Sequence, residues 1–138
     1  MANKNFIVDI VTPTRTVFSG DVQSVSAPGV EGGFQVLHNH APFLSSIGIG
    51  AIKITDADGK TDFYATSGGF VEVKNNKVIV LAETAEHSAE IDVARAESAK
   101  QRAQELLQKK SNNNELIDQE RAHAALARAL NRLKITHQ

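Results

Sequence analysis

The sequence contains no cysteine and no tryptophan, and only one tyrosine and three prolines in 138 residues. Without cysteine there is no disulfide framework, no thiolate nucleophile and no sulfur ligand for a metal. Long apolar runs are missing too: nothing approaches the ~20 consecutive apolar residues of a membrane helix, and MANKNFIVDIV at the start lacks the apolar core of a secretory signal. The expectation is a soluble cytoplasmic protein, with peripheral attachment to a membrane complex left open, since that needs no such segment. Charge of one sign is also lacking. Fifteen Lys and Arg against sixteen Asp and Glu leave a formal net charge of −1, which argues against a nucleic-acid binder. No Walker lysine loop occurs, and GIG (48–50) lacks the third glycine of a dinucleotide turn and lies among strand patterns. What remains is a 41% hydrophobic chain, long enough for one ordinary domain or a small domain with an appendage.

Two halves differ in composition. All nine glycines and all three prolines precede residue 70, whereas alanine dominates beyond residue 83. The first half reads as strands: FIVDIV puts Phe6, Val8 and Ile10 on one face, and AIKIT does the same with Ile52 and Ile54. DADG (56–59) and Asn75-Asn76 are hairpin turns, since Asp-Gly and Asn tolerate positive φ. VIVLA (78–82) is continuously apolar and predicts a strand buried on both faces. The second half reads as helices over roughly 89–109 and 115–134, separated by SNNN (111–114), whose residues favour helix caps. So short a break implies an antiparallel αα-hairpin. The predicted fold is α+β: an antiparallel β-sandwich over 1–86, then a two-helix hairpin over 87–138.

The hairpin's seam is poor in large side chains. Ala96, Ala99, Ala103 and Leu106 follow helical spacing on the first helix, and Ala122, Leu126, Ala129 and Leu133 on the second. One buried methyl contributes about 0.8 kcal/mol and a leucine roughly 2 kcal/mol, while alanine has the highest helix propensity. Such helices persist as helices while changing partners; the alternative is a fixed hairpin whose alanines fit a tight groove. Along the same helices, Asp92, Arg95, Ala99 and Arg102 form one stripe, and Arg121, Ala125, Arg128 and Arg132 another. Converging, they would make a cationic site with one carboxylate, in which guanidinium groups clamp phosphate oxygens and Asp92 or Glu86 accepts from a sugar hydroxyl or an adenine amine. Diverging, they are solvated surface charge.

HNH (38–40) does not make the nuclease of that name, and a small metal hydrolase built on His38 and His40 is the enzyme-class alternative. His38 and His40 share a face of an extended segment, but a metal needs a third ligand and supporting groups, and none is apparent nearby. His40 reads as a structural or interface residue, and neither a metal nor a catalytic residue is assigned.

EGGFQVLHNHAPF (31–43), SGGFVEV (67–73), VIVLAETAE (78–86), IDVARA (91–96) and ALARALNRL (125–133) occur in the order and spacing of the epsilon subunit of bacterial ATP synthase, which the chain resembles over essentially its full length. Gln35 stands where that family often has glycine, and His38-Asn39 replaces the commoner Pro-Gly before His-Ala-Pro. The resemblance implies a non-catalytic subunit of the central rotor stalk, peripheral on the cytoplasmic face of the bacterial plasma membrane. Its sandwich would grip the gamma subunit and the c-subunit ring, through Glu31 and Gly33 toward the ring and His40 toward gamma. Its hairpin would permit rotation when folded back and inhibit ATP hydrolysis when extended toward the catalytic beta and alpha subunits; a hairpin that never extends is the alternative. The resemblance also implies ATP as a regulatory ligand of the folded hairpin, held by Glu86, Ile91, Asp92, Arg95, Ala96, Arg102, Arg128 and Arg132, with no required cofactor and the part of magnesium left open.

Overall fold

A computed structural model describes residues 4–109 and 115–137. Nine strands among the described residues precede two helices: β1 (Phe6–Val11), β2 (Thr16–Ala27), β3 (Phe34–Val36), β4 (Phe43–Ile47), β5 (Gly50–Asp56), β6 (Thr61–Thr66), β7 (Gly69–Lys74), β8 (Lys77–Ala82), β9 (Ala85–His87), α1 (Val93–Gln108) and α2 (Glu115–Thr136). The SNNN break lies outside the described residues.

The strands form one sheet in the order β4-β7-β8-β1-β2-β5-β6-β9, with β3 on the edge of β2. Every pair is antiparallel except β1 with β8, which run parallel from Ile7↔Lys77 to Val11↔Leu81. The twelve-residue β2 lets this sheet close over itself. Its first half pairs with β1 and its second half with β5, and the register shifts between Val22 and Ser24. A bulge of this kind bends and twists the strand, so the β1, β7 and β8 side folds over the β5 and β6 side. Phe6, Val8 and Ile10 then meet Ile52, Ile54 and Tyr64 in one buried core.

The predicted turns form for the expected reasons. Gly59 has φ 86°, and the Asp56 carboxylate accepts from the amides of Asp58 and Lys60, both at 2.9 Å. Asn75 and Asn76 both take positive φ between β7 and β8. VIVLA departs from its reading. Val78, Val80 and Ala82 are buried, but Leu81 is 55% exposed and stands beside Phe70, itself 53% exposed. Continuous hydrophobicity does not here mean two covered faces, because no second layer lies over this side of β7 and β8 among the described residues.

The helices follow their patterns with shifted ends. A short 3₁₀ turn, Ser88–Glu90, replaces the expected first helical turn, Ile91 is extended, and α1 starts only after Asp92, whose Oδ1 accepts from the Arg95 amide at 3.1 Å. The helix begins where its capping carboxylate stands. Ala96 and Ala103 on α1, and Ala122, Ala129 and Leu133 on α2, are buried as the seam predicts, whereas Leu106 is exposed. The hairpin is moored to the sandwich by a small second core. Ile91 and Ile135 bury against Ala65, with Ala51 and Phe63 packed alongside. Asn131 adds a hydrogen bond from Nδ2 to the Gly50 carbonyl at 2.7 Å.

Candidate ligand site between sandwich and hairpin

Three elements meet where the chain leaves the sandwich. β9 carries Glu86 on the sandwich edge beside β6. The segment through Ile91 and Asp92 turns the chain into α1. The end of α2 returns across the same edge and brings Arg132 to Glu86, with Nε donating to Oε1 at 3.1 Å. Between them lies a cavity of about 250 Å³ lined by Glu86, Ile91, Asp92, Arg95, Ala96 and Arg132, together with Glu90. Six of the eight residues implicated by the resemblance therefore share one wall. Ala96 keeps the α1 side of that wall low, because a methyl is all that projects there.

Arg128 lies one helical turn before Arg132 and lines an adjoining niche with Asn131, Thr66, Ser67 and Thr84. Ser67 and Thr84 hydroxyls are hydrogen-bonded there at 2.7 Å. Arg102 lines neither space: seven residues beyond Arg95, it stands ~10 Å further along α1. A third cavity of about 450 Å³ shares Glu86, Glu90 and Arg132 with the first and continues to Thr12–Arg15.

The charges alternate. Glu86 faces Arg132, and Glu90 faces Arg15 at 3.5 Å, both partners of the second pair being more than half exposed. Arg95 sits on the exposed face of α1 beside Asp92, one of whose oxygens is already committed to the cap. Two guanidinium groups among carboxylates suit a ligand with both anionic oxygens and hydrogen-bond donors. Among nearby groups, Tyr64 has its hydroxyl pushed up from 10.0, first by burial and then by the Asp62 and Glu90 carboxylates.

Two neighbours of the site escaped the sequence reading. Glu90 carries no periodic signal, since it falls in the 3₁₀ turn. His87 caps that turn, its Nδ1 accepting from the Ala89 amide at 3.0 Å, and a lone histidine at a strand end carries no motif.

Glu31, Gly33 and His40 stand apart from this cleft, in the segments that flank β3. Glu31 and Gly33 are exposed in a turn whose Gly32 has φ 130°. His40 donates from Nδ1 to the Ala41 carbonyl at 2.7 Å and packs edge-on against Phe43. The structure does not gather the three in one cavity.

A β-sandwich with a lightly moored helical hairpin and a polar cleft between them defines a two-module α+β chain. Residues 5–88 match the family model for the ATP synthase delta/epsilon chain beta-sandwich domain, and residues 89–136 the model for its long alpha-helix domain. The chain belongs to this family, as an epsilon chain of ATP synthase. It is 42% identical over 134 residues to the "ATP synthase epsilon chain" of Syntrophomonas wolfei, covering 97% of this chain and 96% of that one. It is 48% identical over 132 residues to that of Nitratidesulfovibrio vulgaris strain DP4, covering 96% of each. In fold it is similar to a chain in the cryo-EM structure of the Euglena gracilis mitochondrial ATP synthase, at TM-score 0.82 and 20% identity, covering 97% of this chain and 82% of that one.

Proposed function

We propose that this epsilon chain couples rotation of a c-subunit ring to the catalytic head through the gamma subunit, and that its hairpin is a nucleotide-latched brake on ATP hydrolysis. The observation that carries the regulatory part is the 250 Å³ cavity, whose wall takes Glu86 from the sandwich, Arg95 from α1 and Arg132 from α2. Such a site is complete only while both helices are folded back. A ligand shifts an equilibrium by its differential affinity for the two states, so ATP would stabilise the folded hairpin by RT ln(1 + [ATP]/Kd). Low ATP releases the arms toward the catalytic beta and alpha subunits. The second observation concerns the rotor contact: Ile7, Leu44, Phe70 and Leu81 lie exposed on the β4-β7-β8-β1 side of the sandwich. Exposed apolar side chains gathered on one face, among them the adjacent Phe70 and Leu81, mark an interface, and we assign this face to the gamma subunit, with Glu31 and Gly33 left for the ring and His40 at the edge of the gamma contact. Among the described residues no helix is long and apolar enough to cross a membrane; the chain would reach the cytoplasmic face of the bacterial membrane as a peripheral part of the complex.

Calorimetric titration of the full chain with ATP, with and without magnesium, tests the latch. Arg95→Ala and Arg128→Ala are each expected to weaken binding by about 1–3 kcal/mol, as for lost charged hydrogen bonds. Arg102→Ala is expected to weaken it less, since Arg102 lines neither the cavity nor the adjoining niche that Arg128 shares with Arg132. Wild-type affinity in both of the first two variants would overturn the site. For the brake, a crosslink holding the hairpin to the sandwich should relieve inhibition of ATP hydrolysis in the assembled complex; unchanged inhibition would favour a hairpin that never extends.

A further inference from the structure

We infer that His87 is a proton-sensitive pin at the hinge of the hairpin, and that a proton on its ring favours release of the hairpin from the sandwich. The inference rests on the reading that the hairpin is released at all. His87 ends β9, opposite Tyr64 on β6, and the segment Ser88–Asp92 that follows joins the sandwich to α1. Any swing of the helices must be taken up there.

Both ring nitrogens are committed. Nε2 lies 3.0 Å from Oδ1 of Asp62, and Nδ1 lies 3.0 Å from the amide nitrogen of Ala89, capping the turn Ser88–Glu90. An ionised carboxylate only accepts and a backbone amide only donates. The geometry therefore requires a hydrogen on Nε2 and a lone pair on Nδ1, which is one tautomer of the neutral ring. A second proton would have to go on Nδ1 and would point an N–H at the Ala89 N–H. The cap is then lost, and the turn is left with the bond from the Ile91 amide to the Ser88 carbonyl at 3.4 Å.

The direction of the effect follows from which contacts belong to which module. The Asp62 bond joins β6 to β9 within the sandwich, so it attracts the proton equally whether the hairpin is docked or released, and it cancels. The Ala89 cap belongs to the hinge and opposes the proton only while the turn is closed. The other groups around the ring follow suit. Tyr64 on β6 meets it edge-on at 5.1 Å and stays neutral. Glu86, the neighbour on β9, is held by Arg132 of α2, and release takes that guanidinium away, which also favours the imidazolium. Glu90 in the turn is screened by Arg15 from the β1–β2 connection. Acid therefore shifts the balance toward release. Losing a side-chain cap changes such a balance by roughly two- to thirtyfold, and one proton changes it by no more than about tenfold per pH unit.

The test uses the full chain carrying a donor–acceptor dye pair, one dye on β2 and one on α2, taken through the range where imidazole titrates. NMR follows the His87 ring and the Ala89 amide in the same samples. The released fraction should rise about fivefold as His87 becomes protonated, and the Ala89 amide should lose protection in step. His87→Asn places a non-titrating oxygen where Nδ1 accepts, and should stay docked through the whole range. Asp62→Asn should keep the sense of the response. An acid response of equal size in His87→Asn, or an Ala89 amide indifferent to the protonation of His87, would overturn the inference. If the Ala89 amide follows the ring while the dyes never separate, with or without ATP, the pin stands and the mobile hairpin is what fails.

Discussion

The sandwich and the hairpin are built from opposite kinds of side chain. The sandwich core stacks Ile10, Ile52, Ile54 and a set of valines with almost no exposed surface. Each such side chain contributes roughly 1.5–3 kcal/mol on burial. Between α1 and α2 the buried residues are mostly alanines, and the hairpin meets the sandwich chiefly through Ile91, Ile135, one asparagine and one arginine. In both modules most backbone hydrogen bonds stay within the module, along the helices of one and between the strands of the other. They differ in how much apolar area would be exposed if they came apart. The sandwich would lose its whole core, whereas an undocked hairpin would expose little more than two isoleucines and the surfaces they cover. The comparison teaches that helix formation and helix docking have been separated: propensity sustains the first, and a few replaceable contacts sustain the second.

The largest break in this comparison should come from the sandwich. Ile52→Ala, at a side chain with no exposed surface, is expected to cost about 2–5 kcal/mol and to lower the denaturant midpoint of the whole chain. Ile135→Ala should cost about 2 kcal/mol or somewhat more, but locally: amide exchange should quicken through α1 and α2 while β1 and β8 keep their protection. Equal loss in both modules would mean that they unfold as one unit and that the docking contacts are not separable.

Smaller changes sharpen the picture. Asp92→Ala removes the cap of α1 and should cost about 1 kcal/mol, read as fraying of the first turn of α1. Glu86→Gln breaks a pair whose side chains are 36% and 38% exposed, so its effect on stability should stay within about 1 kcal/mol, even though Arg132 borders the cavity. Alkaline pH offers the finest distinction. Folding raises the point at which Tyr64 loses its proton above 10.0, so the folded state holds that proton more tightly. The resulting stability is complete below pH 10 and is lost as pH climbs through the folded-state value. Tyr64→Phe should therefore flatten the alkaline decline of the sandwich, measured by denaturant midpoints across that range.

Much of this was legible in the residues. Period-two alternation found β1 and β5, Asn75-Asn76 and Asp58-Gly59 found the turns, and alanine spacing found the seam. The resemblance carried by IDVARA and ALARALNRL pointed to residues of which six line one cavity. What escaped were features without a local signal. VIVLA looks doubly buried because strand hydrophobicity does not say whether a second layer exists, and here Leu81 faces outward. Ile135 anchors the hairpin although it lies beyond the seam pattern, since its partner Ala65 is far away in sequence. Glu90 joined the site through the irregular segment 88–92, where no periodicity applies, and His87 caps that segment from the end of β9. Arg102 continues the stripe of Arg95, but a straight helix carries it past the cavity.

The sequence by itself determined the two modules, because alternation, helical spacing, turn residues and the exclusion of glycine and proline from the second half act over a few residues at a time. Only the tertiary structure decided how the modules meet. Arg132 reaches Glu86 across 46 residues and Asn131 reaches Gly50 across 81. No local pattern encodes such pairings, since they depend on where a bent β2 places the sandwich edge and on which side of α2 the seam leaves free.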